Sequence, residues 1–280
     1  MYKIVDKKQL APSIVLMDIA APKVAAKAKA GQFIILRVDE EGERIPLTIA
    51  DYNVEKGTVT IIFQEVGYST RKLAQLNKDD YLADFVGPLG QPSEIENYGT
   101  VVCVGGGVGV APIYPIARAL KEAGNEVISI IGARSKDLLI LEDEMKNASS
   151  KLLVATDDGS YGHKGFVTDL LKEVLDSRKD ISRVWGIGPV VMMRAVSNTT
   201  RPYGVHTIVS MNPIMVDGTG MCGACRVSVG NETKFACVDG PEFDGHLVDW
   251  DLALRRMAMF KKEEEIANNI HKCGGECKCH

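Results

Sequence analysis

The chain has 280 residues, 45% of them apolar and 25% charged, with 33 basic and 37 acidic side chains and a formal net charge of -4. That length suits about two domains with room for a third small module, and the composition excludes disordered, collagen-like and fibrous classes. The near-balanced charge offers no field to gather a phosphate backbone, so no nucleic-acid partner is expected.

The N-terminal MYKIVDKKQL carries charges where a secretory leader needs an apolar run. Residues 14–19, 33–38 and 58–63 are rich in Ile, Val and Phe and predict strands, separated by turn signals at Gly31 and Glu55-Lys56-Gly57. A short helix is expected over 69–76. Short strands with regular turns predict a small antiparallel β-barrel over residues 1–98. From Thr100 the pattern becomes strand, glycine-rich turn, helix. Strands are expected at 101–104, 127–131, 152–155, 184–187 and 206–209, with helices at 112–123, 167–176 and 190–198. That alternation predicts an open, parallel, doubly wound α/β sheet over 99–211. The uncharged stretch 97–117 is long enough to cross a bilayer, but its five glycines and two prolines argue against a span, so no membrane partner is expected. After Met211 the periodicity stops. A glycine- and cysteine-rich module occupies 212–248, and the C-terminal part 249–280 holds an amphipathic helix, 249–269, and the tail HKCGGECKCH.

Of the seven cysteines, only Cys103 precedes residue 220; Cys222, Cys225, Cys237, Cys273, Cys277 and Cys279 follow. A secreted disulfide scaffold would spread them through a short chain, so the late cluster reads as metal chemistry in a reducing, cytoplasmic compartment. The most specific signal is Asp217-x4-Cys222-x2-Cys225-x11-Cys237. Plant-type [2Fe–2S] sites use C-x4-C-x2-C and a distant fourth Cys, and here an aspartate takes the first place. A structural zinc site of three cysteines and one aspartate is the competing reading. In the tail, His271, Cys273, Cys277, Cys279 and His280 form a metal-competent set that reads equally well as a frayed end. Cys103, in an apolar strand, reads as a small buried hydrophobe.

Gly105, Gly106, Gly107 and Gly109 lie between a predicted strand and helix, where backbone can approach a phosphate and a helix N-terminus can receive it. The spacing is not G-x-G-x-x-G, and a tight turn without ligand is the plain alternative. Two further loops at strand ends carry Asp157-Asp158 and Gly188-Pro189. Either aspartate would suit a ribose diol and repel a 2'-phosphate, favouring NAD over NADP; ordering of their own loop is the alternative. In the barrel, Arg44 precedes Pro46, Leu47 and Thr48, and Gly67 with Ser69 and Thr70 opens a short helix. A pyrophosphate clamp and a phosphate-receptive turn are the chemistry these allow; a surface charge and an N-cap are the ordinary readings.

With RIPLT, GYST, GPLG, VGGGVGVAP, TDDGSYGHKG, DGTGMCGACRV and FACVDGPEFDGHLVDW in view, the chain resembles the ferredoxin reductase-type FAD/NAD(P)-binding superfamily over nearly its whole length. Within it the chain is similar to two families of small subunit: the electron-transfer subunit of dihydroorotate dehydrogenase, and the small subunit of NADH-dependent reduced ferredoxin:NADP+ oxidoreductase, also known as sulfide dehydrogenase. The resemblance implies FAD held by Arg44, Pro46, Leu47, Thr48, Gly67, Ser69 and Thr70. It implies NAD(H) at Gly105, Gly106, Gly107 and Gly109, with Gly188-Pro189 near the nicotinamide, and a [2Fe–2S] cluster on Asp217, Cys222, Cys225 and Cys237. Many relatives have Cys-Gly-Pro where this chain has Ile187-Gly188-Pro189. Dihydroorotate-type subunits carry Cys at the place of Asp217, which favours the ferredoxin:NADP+ type. The implied partner is a larger flavin and iron–sulfur subunit, with ferredoxin reached through it. The implied activity is an electron relay from NADH through flavin to cluster, without an acid–base residue. A nucleotide or metal sensor without turnover is the reading from another class.

Overall fold

A computed structural model describes residues 1–272, with side chains to residue 268. The N-terminal part is built of β1 (Tyr2–Ala11), β2 (Ile14–Ala20), helix α1 (Pro22–Ala25), β3 (Phe33–Arg37), β4 (Ile45–Asn53), β5 (Thr58–Gln64), α2 (Tyr68–Gln75), β6 (Tyr81–Leu82) and β7 (Asp84–Leu89). The strands run antiparallel in the order β6-β1-β2-β5-β4-β3-β7. The two edge strands β6 and β7 are separated only by Ala83, whose N–H donates to the carbonyls of Arg37 and Val38. The sheet is thereby nearly closed, as the expected barrel. Its interior alternates with the strand period: Met17, Ile19, Ile34, Leu36, Val59, Ile61 and Phe63 point inward, and Leu73 of α2 joins the same core. β1 and β4 carry no clear strand signal in the sequence. In β1 the charged residues Lys3, Asp6, Lys7 and Lys8 mask the alternation, and in β4 Pro46 removes a ladder donor.

The second part runs β8 (Thr100–Gly106), α3 (Val110–Glu122), β9 (Glu126–Ala133), α4 (Glu142–Asn147), β10 (Lys151–Thr156), β11 (His163–Lys164), α5 (Val167–Ser177), β12 (Ile181–Ile187), α6 (Val190–Thr200) and β13 (His206–Ser210). Its strands lie parallel in the order β11-β10-β9-β8-β12-β13. Val101 and Cys103 face α3, and Val102 and Val104 face α5 and α6, so the sheet is covered on both sides as a doubly wound fold requires. The core under α3 also takes in Ala11, Ile14, Ala50 and Ile62 of the barrel. α3 is thus packed between sheet and barrel. The stretch 97–117 is divided between β8 and α3, and no helix among the described residues is long and apolar enough to cross a membrane.

The cysteine-rich segment contains a hairpin, β14 (Arg226–Val229) and β15 (Glu232–Phe235), and a strand β16 (Glu242–Asp244). β16 pairs antiparallel with β13, Ser210 opposite Glu242, so a piece read with the cysteine module extends the nucleotide sheet. The expected single C-terminal helix is two, α7 (Trp250–Met257) and α8 (Lys261–Lys272). Asp249 caps α7 by accepting the Leu252 N–H at 2.9 Å. α7 buries Trp250 and Ala253 against the module, whereas the polar α8 turns away to α2, where Arg71 donates to Asn268 at 2.9 Å. A continuous amphipathic pattern conceals such a change of direction. Cys273, Cys277, Cys279 and His280 of the tail lie outside the described residues, as does the side chain of His271.

Candidate functional site

On the barrel, Pro46, Leu47 and Thr48 lie half-buried on β4, with Arg44 exposed just before it. Phe33 of β3 stands opposite Thr48. The Arg44 Nε donates to the Val216 carbonyl at 3.1 Å, one residue before Asp217. Gly67 ends in extended backbone at the start of α2, and a side chain there would meet nothing within 4 Å, which leaves open space beside the helix start. Thr70 Oγ1 accepts the Gly67 N–H at 3.1 Å, and the Ser69 hydroxyl donates to Glu43 at 2.8 Å.

In the α/β part, β8 ends at Gly106, Gly107 to Gly109 make a single tight turn, and α3 starts at Val110. β8 and β12 are neighbours, and the chain leaves β8 towards β9 but returns to β12 on the other side. This reversal is the switch point, where open α/β sheets bind ligands at the carboxyl ends of strands. The Gly105–Gly109 turn and Gly188-Pro189 both lie there. A Cβ on Gly109 would stand 2.4 Å from the Ile187 carbonyl oxygen and 2.6 Å from the Gly188 Cα, so the two loops touch because Gly109 has no side chain. Above Gly107 the space is open.

Asp157 and Asp158 are exposed at the end of β10, two strands from β8. The Asp158 carboxylate accepts the Ser160 N–H and hydroxyl at 2.9 and 2.7 Å, and these bonds hold it below the usual carboxylate range. It orders its own loop. The backbone N–H groups of Asp157 and Asp158 donate to Ala133 and Arg134, which brings this loop against the turn after β9. That turn, Arg134-Ser135-Lys136, follows the second strand of the unit, where a ribose is commonly read. Its place after the second strand is the signal of it that the sequence carries.

The cysteine loop is seated on the barrel. Gly218 has φ +75°, which an L side chain would strain, and a Cβ there would lie 2.7 Å from the tip of Ile35 and 2.8 Å from the tip of Leu89, so the loop lies close against β3 and β7. The Asp217 carboxylate accepts the Thr219 and Cys222 N–H groups, each at 2.9 Å, and these donors lower its pKa. The Cys225 and Cys237 thiols are buried 3.2 Å apart. Burial and the neighbouring Cys225 push the Cys237 thiol up to about 12. As thiols they pack like other small apolar groups, and a metal bound there would displace their protons. Cys222 is exposed. Among the described residues no three His, Cys, Asp or Glu side chains converge on one ion. The donors fall instead into two pairs, Asp217 with Cys222 and Cys225 with Cys237. A two-iron cluster takes its protein ligands in such pairs, so the donor set suits [2Fe–2S]. Cys103 is buried in β8, as expected, and burial raises its thiol pKa.

A nearly closed antiparallel barrel, a doubly wound sheet with its glycine turn at the switch point, and a cysteine loop define an oxidoreductase of the ferredoxin reductase class. The family model "Iron-sulfur cluster binding domain of dihydroorotate dehydrogenase B" matches residues 212–249, and "Oxidoreductase NAD-binding domain" matches 103–198. A dihydroorotate dehydrogenase B (NAD(+)) electron transfer subunit homolog of Thermotoga maritima is 52% identical, covering 98% of this chain and 97% of its own. The dihydroorotate dehydrogenase B electron transfer subunit of Desulforamulus reducens is 32% identical over 90% of this chain and all of its own. A chain in the solved structure of the NADH-dependent reduced ferredoxin-NADP oxidoreductase is 49% identical with a TM-score of 0.92, covering 97% of this chain and 98% of its own. The chain belongs to the family of dihydroorotate dehydrogenase B electron-transfer subunits and their homologues. Its NAD-binding and iron–sulfur domains are those of an oxidoreductase.

Proposed function

We propose that this chain is the flavin and iron–sulfur subunit of a cytoplasmic NADH-dependent oxidoreductase of the ferredoxin:NADP+ type, relaying electrons to or from a larger subunit. The observation that carries the reading is the seating of the cysteine loop on the barrel: Gly218 lies against Ile35 of β3, whose neighbour β4 carries Thr48. The proposed flavin and cluster sites would then be adjacent parts of one packed unit.

When bound, FAD takes two electrons from NADH as a hydride and yields them singly to the cluster, chemistry that no side chain supplies. Pro46, Leu47 and Thr48 would line the flavin, while Arg44 and the helix start at Gly67, Ser69 and Thr70 would take its pyrophosphate. Gly105, Gly106, Gly107 and Gly109 would bring the backbone to the NAD pyrophosphate, and Gly188-Pro189 would meet the nicotinamide. Asp157 and Asp158 would disfavour a 2'-phosphate. Asp217 and Cys222 would hold one iron and Cys225 and Cys237 the other. The protein's share is placement, exclusion of water and tuning of potentials.

A partner subunit is supported by apolar surface around the cysteine loop: Met221 is 88% exposed, and Ile214, Val216, Met257, Met259 and Phe260 are exposed as well. Ferredoxin would be reached through that partner. The second reading, service to a dihydroorotate dehydrogenase, is favoured by the description of the family model. Against it stands Asp217, at the place where dihydroorotate-type subunits carry a cysteine. The test is anaerobic purification with flavin, iron and acid-labile sulfide assays, followed by NADH. A yellow-brown protein bleached by NADH is expected. A colourless preparation overturns the proposal and favours a sensor, and dihydroorotate:NAD+ activity with a co-purifying partner selects the second reading.

A further inference from the structure

Helix α3, which starts at the glycine turn, and strand β4 are joined by an ion pair that no motif singles out. Arg118 of α3 donates to both carboxylate oxygens of Asp51 on β4, Nη2 to Oδ1 at 2.7 Å and Nη1 to Oδ2 at 3.2 Å. Its guanidinium also donates to the Tyr114 hydroxyl at 3.2 Å and stands 5.1 Å from the centre of that ring. The arginine is therefore fixed from its own helix before it reaches the barrel. A two-pronged contact of this kind sets orientation as well as distance.

The barrel presents Asp51 through a bulge. Ile49 pairs with Ile61 and Asp51 with Thr60, which leaves Ala50 as an extra residue in β4. A bulge bends its strand and re-aims the side chains beside it. Ala50 is itself buried in the core beneath α3, together with Ile113 and Ala117. The Asp51 Oδ1 also accepts the Tyr52 N–H at 2.8 Å, which fixes the carboxylate from the strand. With side chains 32% and 36% exposed, the pair adds little to stability. Its geometry, however, ties the helix that starts at the glycine turn to the strand that carries Thr48.

We propose that Asp51 and Arg118 act together as positioning residues that set the nicotinamide of bound NADH against the flavin. The proposal rests on the electron-transfer reading above. In the step concerned, a hydride carrying both electrons leaves the nicotinamide C4 and bonds to flavin N5, leaving NAD+. Asp51 and Arg118 exchange no proton with either. A displacement of about 1 Å between reacting atoms costs on the order of 100-fold in rate.

The test uses the full chain with its cofactors and its partner subunit, as Asp51→Ala, Arg118→Ala and the double variant, with Asp51→Asn as a milder change. Flavin content and the cluster's EPR signal should match the parent protein. The rate of flavin bleaching at saturating NADH should fall about 10- to 100-fold in each alanine variant. The double variant should fall no further, because either change removes the same contact. Amide hydrogen exchange should rise in residues 49–53 and 114–120, a readout independent of turnover. Unchanged bleaching rates in variants that retain flavin, or losses that multiply in the double variant, overturn the proposal. A parent protein that NADH does not bleach overturns the electron-transfer reading first, and this proposal with it.

Discussion

Asp217, proposed above as an iron ligand, differs from a cysteine in its place in two ways. Its oxygens accept the Thr219 and Cys222 N–H groups, which curls the loop around the carboxylate. As an iron ligand a carboxylate is harder than a thiolate and passes less charge to the metal, and such differences tune cluster potentials. Asp217→Cys is expected to retain a full cluster with shifted midpoint potential and g values. Asp217→Ala removes the proposed iron ligand together with the loop's acceptor, and is expected to purify with substoichiometric iron. Redox titration followed by EPR checks both. Identical g values and potential in the cysteine variant would remove Asp217 from the ligand set. This constellation was legible in the sequence because its members lie within one short stretch, where spacing is nearly geometry. The closeness of Cys225 to Cys237 was legible only as spacing, since the β14–β15 hairpin that returns the chain has no strong pattern.

At the level of elements, the two loops at the switch point are held at one separation by a missing side chain. The Gly109 position faces backbone atoms of Ile187 and Gly188, which cannot move aside as a flexible side chain could. Gly109→Ala should therefore push Gly188-Pro189 away from the turn, at a cost of about 1–3 kcal/mol for overpacking. The expected result is a lower thermal midpoint and a KM for NADH raised about tenfold or more, equivalent to about 1.4 kcal/mol of binding, with flavin content retained. An unchanged KM would show that the loops do not share the nucleotide. The five longer strands and three longer helices of this part were readable because buried parallel strands are continuous apolar runs and the helices are amphipathic, whereas the six-residue α4 and two-residue β11 are too short to show a period. β16 was not readable. Three residues carry no period, and their pairing with β13 is decided by tertiary packing.

Across the whole molecule, Glu242 marks the point where barrel, sheet and cysteine module meet. Gln91, on the segment leaving the barrel, donates its N–H to Gly240 at 2.6 Å and its side chain to Val238 at 2.9 Å. Two residues beyond Gln91, the Ser93 hydroxyl donates to the Glu242 carboxylate at 2.5 Å. The Trp185 indole N–H also favours the ionised form without completing a hydrogen bond. Burial outweighs both and pushes the Glu242 carboxyl up to about 7, from an ordinary 4.5. Around it stand Cys103 from β8, Arg183 and His206 from β12 and β13, Glu94 and Asp244. With the folded pKa above the unfolded one, the native state holds the extra proton between these two values. Stability from this group is therefore greatest below the unfolded value and is lost as pH rises to about 7, by at most about 1.4 kcal/mol per pH unit. Glu242→Gln keeps the shape and an acceptor for Ser93 but cannot ionise. Thermal midpoints of the two proteins should diverge between about pH 5 and 8, the parent losing ground to the variant as pH rises. Because His206 and the other neighbours are common to both proteins, the difference isolates Glu242. Parallel curves would mean that the carboxyl titrates as an ordinary surface acid, and that the junction of the three parts holds no proton of its own.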